Sequence, residues 1–295
     1  MDFIRGLHDM HESTLQSAVS GLESLPSLPS IVVRVLESVE NEGTSALDLG
    51  HLIAADQSLA ASLLRAANSA YFGFNRRVVD VPDAVAVLGF EEVRRIALAA
   101  TTFRLFENRH SRYDRLELWR HSLASAMASE RCARELGLLV SGGCYTVGLL
   151  HDIGKVAMDY LYPNLYMEAL RESNTNGVCL TRVEKALFGC DHAEVGAQLV
   201  SAWHIPEPIS HAIRFHHSAG DSQGQSNLPD IAAVGSGIAV EAGFSHEGSA
   251  HRSAFPEASF SRLGLTASFR DGLTQKIADS RAVVDELLSA FETTP

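Results

Sequence analysis

Apolar residues recur at three- and four-residue steps along most of the chain. That period confines the fold to helices packed on helices. Between Ser45 and Ala70 the series is Leu47, Leu49, Leu52, Ile53, Leu59, Leu63, Leu64 and Ala67. Between Phe90 and Phe106 it is Val93, Ile96, Ala97, Ala100 and Phe103. The same spacing returns from Leu116 to Leu136 and from Val195 to Trp203. Alternation of β-branched residues is scarce, and the best strand candidate, Val78 to Val81, is only a few residues long. The pattern predicts an all-α chain.

Breaker residues divide this pattern. Pro26 and Pro29 precede the apolar run at Ile31, where a missing N–H costs nothing because the first helical turn leaves it unpaired anyway. Asp80-Val81-Pro82-Asp83 reads as another helix start, and Gly73 suits a helix end. Residues 107–112 are all polar and set a boundary near 110. A stretch rich in Ser, Gly and His at about 244–258 sets a second. The expected organisation is a helical subdomain over 1–110, a second helical bundle over 111–245, and a helical extension over 246–295 that ends in one helix from about Thr266 to Phe291.

The 295 residues carry 36 acidic against 24 basic side chains, a net charge of −12. A surface that tracks nucleic-acid phosphates needs an excess of Lys and Arg, so binding of that kind is not expected. A polybasic membrane anchor is not expected either. No apolar run reaches about 18 residues, the length a spanning helix requires. The first residues lack the basic-then-apolar order of a signal peptide. The four cysteines, at 132, 144, 179 and 190, form no CxxC pair. Reduced thiols in a cytoplasmic protein are expected.

The strongest chemical signal is Leu149-Leu150-His151-Asp152-Ile153-Gly154-Lys155. Adjacent His and Asp at a helix end offer a nitrogen lone pair and a negative charge to one metal ion. Lys155 then supplies a point charge that a phosphate oxygen could meet. His121 lies 30 residues upstream, with Glu117 four positions before it on the same helical face. His192 and the His216-His217 pair follow. Converging from several helices, Glu117, His121, His151, Asp152, His192, His216 and His217 would ligate iron, manganese, zinc or nickel without the cysteines. His8, His11, His204, His211, His246 and His251 read as surface or singly bonded histidines. No glycine-rich phosphate loop and no Ser/His/Asp motif is present.

The HDIGK segment, the histidine about thirty residues before it and the later His192 and His216-His217 resemble the HD superfamily of metal-dependent phosphohydrolases. The closer resemblance is to the HDOD domain, the HD-related output domain of bacterial signalling proteins. Leu25-Pro26-Ser27-Leu28-Pro29, residues 53–59, residues 63–70 and Ala84 to Phe90 followed by Val93-Arg94 carry it in the first half. Asp191 to Ala197, Trp203 to Pro206 and His216-His217 carry it in the second. Gln57 stands where the family usually has Pro.

The resemblance implies that residues 111–245 form an HD-like bundle and that His121, His151, Asp152, His192, His216 and His217 are ligands. Glu117 would be the extra carboxylate of some cyclic-di-GMP-cleaving relatives, and Lys155 their phosphate-facing lysine. Two features set this chain apart from those enzymes. No Gly-Tyr-Pro segment follows His217, and the superfamily's last ligand, an Asp on a later helix, has no counterpart in Ile231 to Gly237. Asp230 is nearby but in the wrong register. Two divalent ions repel, and bridging carboxylates offset that repulsion, so a site short of one acid suits at most a single ion. The resemblance therefore implies a non-catalytic output module that acts on signalling protein partners, with a divalent metal as a structural clip. The alternative is a metal-dependent phosphodiesterase for a cyclic dinucleotide or nucleotide.

Overall fold

The computed structural model describes residues 25–106, 113–138, 143–222, 226–245 and 255–292. Every regular element among them is helical. In chain order these are α1 (Ser30–Glu40), α2 (Ala46–Ala54), α3 (Gln57–Ala67), α4 (Val81–Leu88), α5 (Phe90–Leu105), α6 (Arg115–Glu135), α7 (Gly143–Leu150) and α8 (Ile153–Leu161). There follow α9 (Pro163–Asn176), α10 (Leu180–Phe188), α11 (His192–Ala202), α12 (Glu207–Phe215), α13 (Leu228–Glu241), α14 (Glu257–Arg262), α15 (Ala267–Asp279) and α16 (Arg281–Phe291). No helix among the described residues is long and apolar enough to cross a membrane.

The chain forms two compact units. One holds residues 26–106 together with 279–292, and the other residues 113–278. The expected extension over 246–295 is therefore not one piece. The helix expected from Thr266 to Phe291 breaks at Ser280, leaving α15 in one unit and α16 in the other. Arginines hold both halves. In the first unit Arg65 donates through Nε to the carbonyl of Ala290 at 2.9 Å and through Nη2 to that of Glu292 at 3.0 Å, satisfying the open end of α16. In the second, Arg262 donates to Asp230 at 2.6 Å, and Arg270 pairs with Glu241 and Glu257 while lying 3.4 Å over the Phe255 ring. Asp230 is thus engaged with Arg262.

In the first unit most of the apolar positions read from the sequence are buried, Leu49, Ile53, Leu59, Leu63 and Ala67 in the first series and Val93, Ile96, Ala97 and Ala100 in the second, whereas Leu52, Leu64 and Phe103 are half-buried and Leu47 is exposed. Asp56 breaks the long run by capping α3, its carboxylate accepting the Leu59 N–H at 2.8 Å. The strand candidate is not a strand. Val81 begins α4, and the Val78 N–H and C=O are both taken by the Asn68 side-chain amide, at 2.9 and 2.8 Å. One side chain supplies the pairing that a neighbouring strand would give. Tyr71, Phe72 and Phe74, which the sequence suggests are core, are only half-buried or exposed, with Phe72 and Phe74 stacked 6.1 Å apart.

In the second unit α6 is buried almost all round, through Ser122, Ala124, Ser125, Ala126, Ala128 and Ser129. Small residues let neighbours come close. A Cβ on Gly235 of α13 would lie 2.1 Å from the Ser129 Oγ, and one on Gly148 of α7 2.7 Å from the Ala126 Cα. The tightest approach is at Gly154 of α8, where a Cβ would sit 1.9 Å from the His192 carbonyl oxygen. That contact sets α8 directly against α11 and fixes the site described next.

Candidate metal centre

Helix α7 ends at Leu150, and His151 and Asp152 fill the turn before α8. Asp152 is the residue preceding α8, and Lys155, one turn on, bends its ammonium back to Asp152 Oδ2 at 3.0 Å. His192 opens α11 just after a capping box in which Asp191 accepts from the Glu194 N–H and Glu194 from the Asp191 N–H. His216 and His217 follow the last turn of α12. His121 comes from the middle of α6. Five elements thus deliver side chains to one pocket inside a single unit.

The imidazoles share an orientation. His121 Nδ1 donates to the Phe244 carbonyl at 2.8 Å, His151 Nδ1 to that of Gly148 at 2.8 Å, and His216 Nδ1 to that of Ile213 at 2.7 Å. A carbonyl only accepts, so the hydrogen resides on Nδ1 and the Nε2 lone pair points inward. This is the outer-shell arrangement of metal-ligating histidines. His121 and His151 bring their Nε2 atoms to 3.3 Å, and His192 and His217 bring theirs to 2.8 Å. His217 is exposed as a residue, but this nitrogen faces the cluster. The His216 Nε2 is buried and makes no hydrogen bond among the described residues.

Asp152 links two donor groups. His121, His151 and Asp152 form one; Asp152, His192, His216 and His217 form the other. Within each, the donor atoms lie within 4.8 Å of one another. Asp152 is the one carboxylate in either group among the described residues. Its Oδ2 faces His151 at 3.4 Å and His121 at 3.8 Å, and its Oδ1 faces His192 at 3.2 Å and His216 at 3.8 Å.

Electrostatics follow the geometry. Burial, then the neighbouring His151, push the pKa of His121 down to about 4 and that of His216 down to about 3, so both rings are neutral. Burial alone would raise the pKa of Asp152, but His151 and Lys155 hold its carboxyl well below the usual carboxylate range. Burial alone would lower that of His192, but Glu184 and Asp152 outweigh it and raise it to about 10. A proton on His192 and a cation at the same donors are therefore alternatives, as in any site whose ligands must deprotonate to bind.

The structure gathers six of the seven expected ligands, and Lys155, into this pocket. Glu117 is the exception. It lies in the first turn of α6, half-exposed, and its carboxylate accepts from Arg120 at 2.7 Å. Sharing a helical face with His121 did not suffice, because an arginine three residues on competes for the acid. His211 packs at a tilt against Phe215 and His204 is exposed just after α11, outside both donor groups. His8, His11, His246 and His251 lie outside the described residues.

Two residues were missed. Glu184 of α10 is fully buried, and its Oε2 accepts both the Nδ1–H of His192 at 2.6 Å and the His192 backbone N–H at 3.0 Å. The signal was present: Glu184 falls on the apolar face of α10 with Leu180, Val183 and Leu187, where a carboxylate needs a partner. Replacing Glu184 with Gln keeps an acceptor but removes the charge. It is expected to weaken divalent-cation binding about 10-fold or more, measured by titration calorimetry, with the helical circular dichroism unchanged. The second is Ser236 of α13, whose hydroxyl stands 3.2 Å from His121 Nε2, next to the Ser125 hydroxyl at 3.3 Å.

Comparison with known proteins agrees with this reading of the fold. The HDOD domain family matches residues 25–219. The chain is 27% identical over 188 residues to an uncharacterized protein of Treponema pallidum (strain Nichols), which covers 63% of this chain but only 36% of that protein's length. An HDOD domain protein of unknown function from Geobacter sulfurreducens superimposes with a TM-score of 0.77 at 25% identity, covering 95% of this chain and 98% of that one. A candidate signal transduction protein from Marinobacter aquaeolei VT8 has the same fold, with a TM-score of 0.79 at 23% identity over 97% of this chain and 66% of its own. The sequence match, the two helical units and the His/Asp pocket lead to one conclusion: this chain belongs to the HDOD domain family.

Proposed function

We propose that this chain is a non-catalytic output module that regulates a signalling pathway through contacts with partner proteins, and that its His/Asp pocket holds a divalent cation as a structural clip. The ligands would be Asp152, His192, His216 and His217, with iron, manganese, zinc or nickel as the ion. A bound cation would tie together the α7–α8 turn, α11 and the end of α12, so binding energy becomes folding energy. Glu184 orients His192, and the Ile213 carbonyl orients His216.

The observation that carries this reading is Ser236. Its neutral hydroxyl, and not an acid, meets His121 at 3.2 Å. Asp152 is left as the one carboxylate shared by both donor groups. Hydrolysis of a phosphodiester by a pair of ions needs both held close together, and one carboxylate already paired with the Lys155 ammonium offsets too little of their repulsion. The test is turnover of cyclic-di-GMP and of nucleoside phosphates by protein loaded with Mn²⁺ or Fe²⁺. No turnover above that of the Asp152→Asn protein is expected. Turnover that disappears in Asp152→Asn would replace this reading with the second one.

That second reading, a metal-dependent phosphohydrolase, is favoured by the two donor groups that Asp152 bridges, with His121 and His151 on one side and His192, His216 and His217 on the other.

A further inference from the structure

We propose that the Lys155 ammonium serves as a built-in cation for the His121–His151 side of the pocket, so that the chain takes one divalent ion, at the His192–His216–His217 side. The inference rests on the reading above that the pocket takes a cation at all.

The two oxygens of Asp152 have different company. Oδ1 faces imidazoles among the described residues, His192 at 3.2 Å and His216 at 3.8 Å, beyond which lies His217. Oδ2 faces His151 at 3.4 Å, His121 at 3.8 Å and the Lys155 ammonium at 3.0 Å. The charged group is nearer to Oδ2 than either ring is. Lys155 is 1% exposed, and a buried ammonium holds its charge only beside a counter-charge. Its backbone fixes it there: Lys155 N donates to the Asp152 carbonyl at 2.9 Å in the first turn of α8, so the side chain returns over the residue three positions earlier.

A divalent ion bound to Oδ2 would have to approach to about 2.0–2.2 Å. The ammonium would then be its nearest neighbour of like charge, in a pocket with little water to screen the two. The positive end of the α8 dipole points the same way. On this side the ligand set is also poorest, since Ser125 and Ser236 contribute only hydroxyls. Lysine and hydroxyls together complete the electrostatics of that half without a metal. The same contact argues against Lys155 as a phosphate ligand, because its ammonium is already engaged inside the pocket.

The experiment is Mn²⁺ stoichiometry of the full chain by elemental analysis after dialysis, joined to electron paramagnetic resonance. The wild-type protein is expected to hold one ion per chain with an uncoupled six-line spectrum. Lys155→Met and Lys155→Gln are expected to hold two, with the broadened spectrum of an exchange-coupled pair and the second ion bound at least 100-fold more tightly than by wild type. Two ions in wild type, or one ion in wild type and in both variants with helical content intact, overturns the role given to Lys155. No ion in wild type overturns the cation reading itself and this inference with it.

Discussion

Replacing Gly154 with alanine is expected to cost about 3 kcal/mol or more and to abolish cation binding, although alanine is the better helix former. The new Cβ would lie 1.9 Å from the His192 carbonyl oxygen and 2.8 Å from the Gly196 backbone nitrogen. Both are main-chain atoms of α11 and cannot swing aside as a side chain could. Helices α8 and α11 would have to separate by roughly 1.5 Å to reach ordinary contact. Val156 and Ala157, buried on α8, and Val195 and Leu199, buried on α11, would lose close packing. The same movement draws Asp152 away from His192, now 3.2 Å apart, so the site opens as the core loosens. A loss of this size is a large part of the roughly 5–15 kcal/mol that holds a typical domain together. A lower urea midpoint and a flat calorimetric titration with Mn²⁺ are the expected readouts. Gly272→Ala is the control. It lies inside α15 with nothing within 4 Å of a new Cβ, and should stabilise by about 0.5–1 kcal/mol. The same chemical change is expected to have opposite signs at the two positions. Equal effects would mean that helix propensity, and not the α8–α11 approach, decides the outcome.

Gly154 also shows how far the sequence could be read. Its place between Asp152 and Lys155 was visible, but the carbonyl it must clear belongs to a residue 38 positions later. The helical period was legible because burial acts locally, one face at a time. The fate of Val78 was not. Its pairing goes to an asparagine side chain ten residues away, which no pattern of β-branched residues reports. The tail read as one helix because nothing in its composition marks Ser280 as the place where the chain passes from one unit to the other. In the site, the histidines and Asp152 were legible as residue types able to bind metal. Glu117 was misplaced because spacing on one helix cannot weigh a competing arginine. Glu184 was the most recoverable omission, an acid on an otherwise apolar helical face. Ser236 was the least, since a serine among small residues carries no sign of its importance until α13 is seen packed against α6.

Ser236→Asp is expected to convert the protein from one that is indifferent to an ion beside His121 into one that requires it. In wild type two hydroxyls, Ser125 and Ser236, stand within hydrogen-bonding reach of His121 Nε2. A carboxylate in place of Ser236 would instead set a negative charge against a lone pair, close to the Asp152 carboxylate, in a pocket where His121, His151 and Asp152 are each no more than 2% exposed. Without metal that is unfavourable by several kcal/mol, or forces the new group to take up a proton. With metal the sign reverses. His121, His151, Asp152 Oδ2 and the new acid offer four donors, and two carboxylates now face the one ammonium of Lys155, leaving net negative charge for a cation. The variant should melt below wild type in chelator and above it in excess Mn²⁺. The gain between the two conditions should exceed that of wild type by about 2.7 kcal/mol at a metal concentration 100 times the dissociation constant of the added site. Its manganese content should rise from one ion to two per chain. A variant that keeps one ion and gains no more stability from Mn²⁺ than wild type does would show that the corner next to His121 is not the place where an acid is missing. The reading of this pocket as one negative group short of a two-ion centre would then fail.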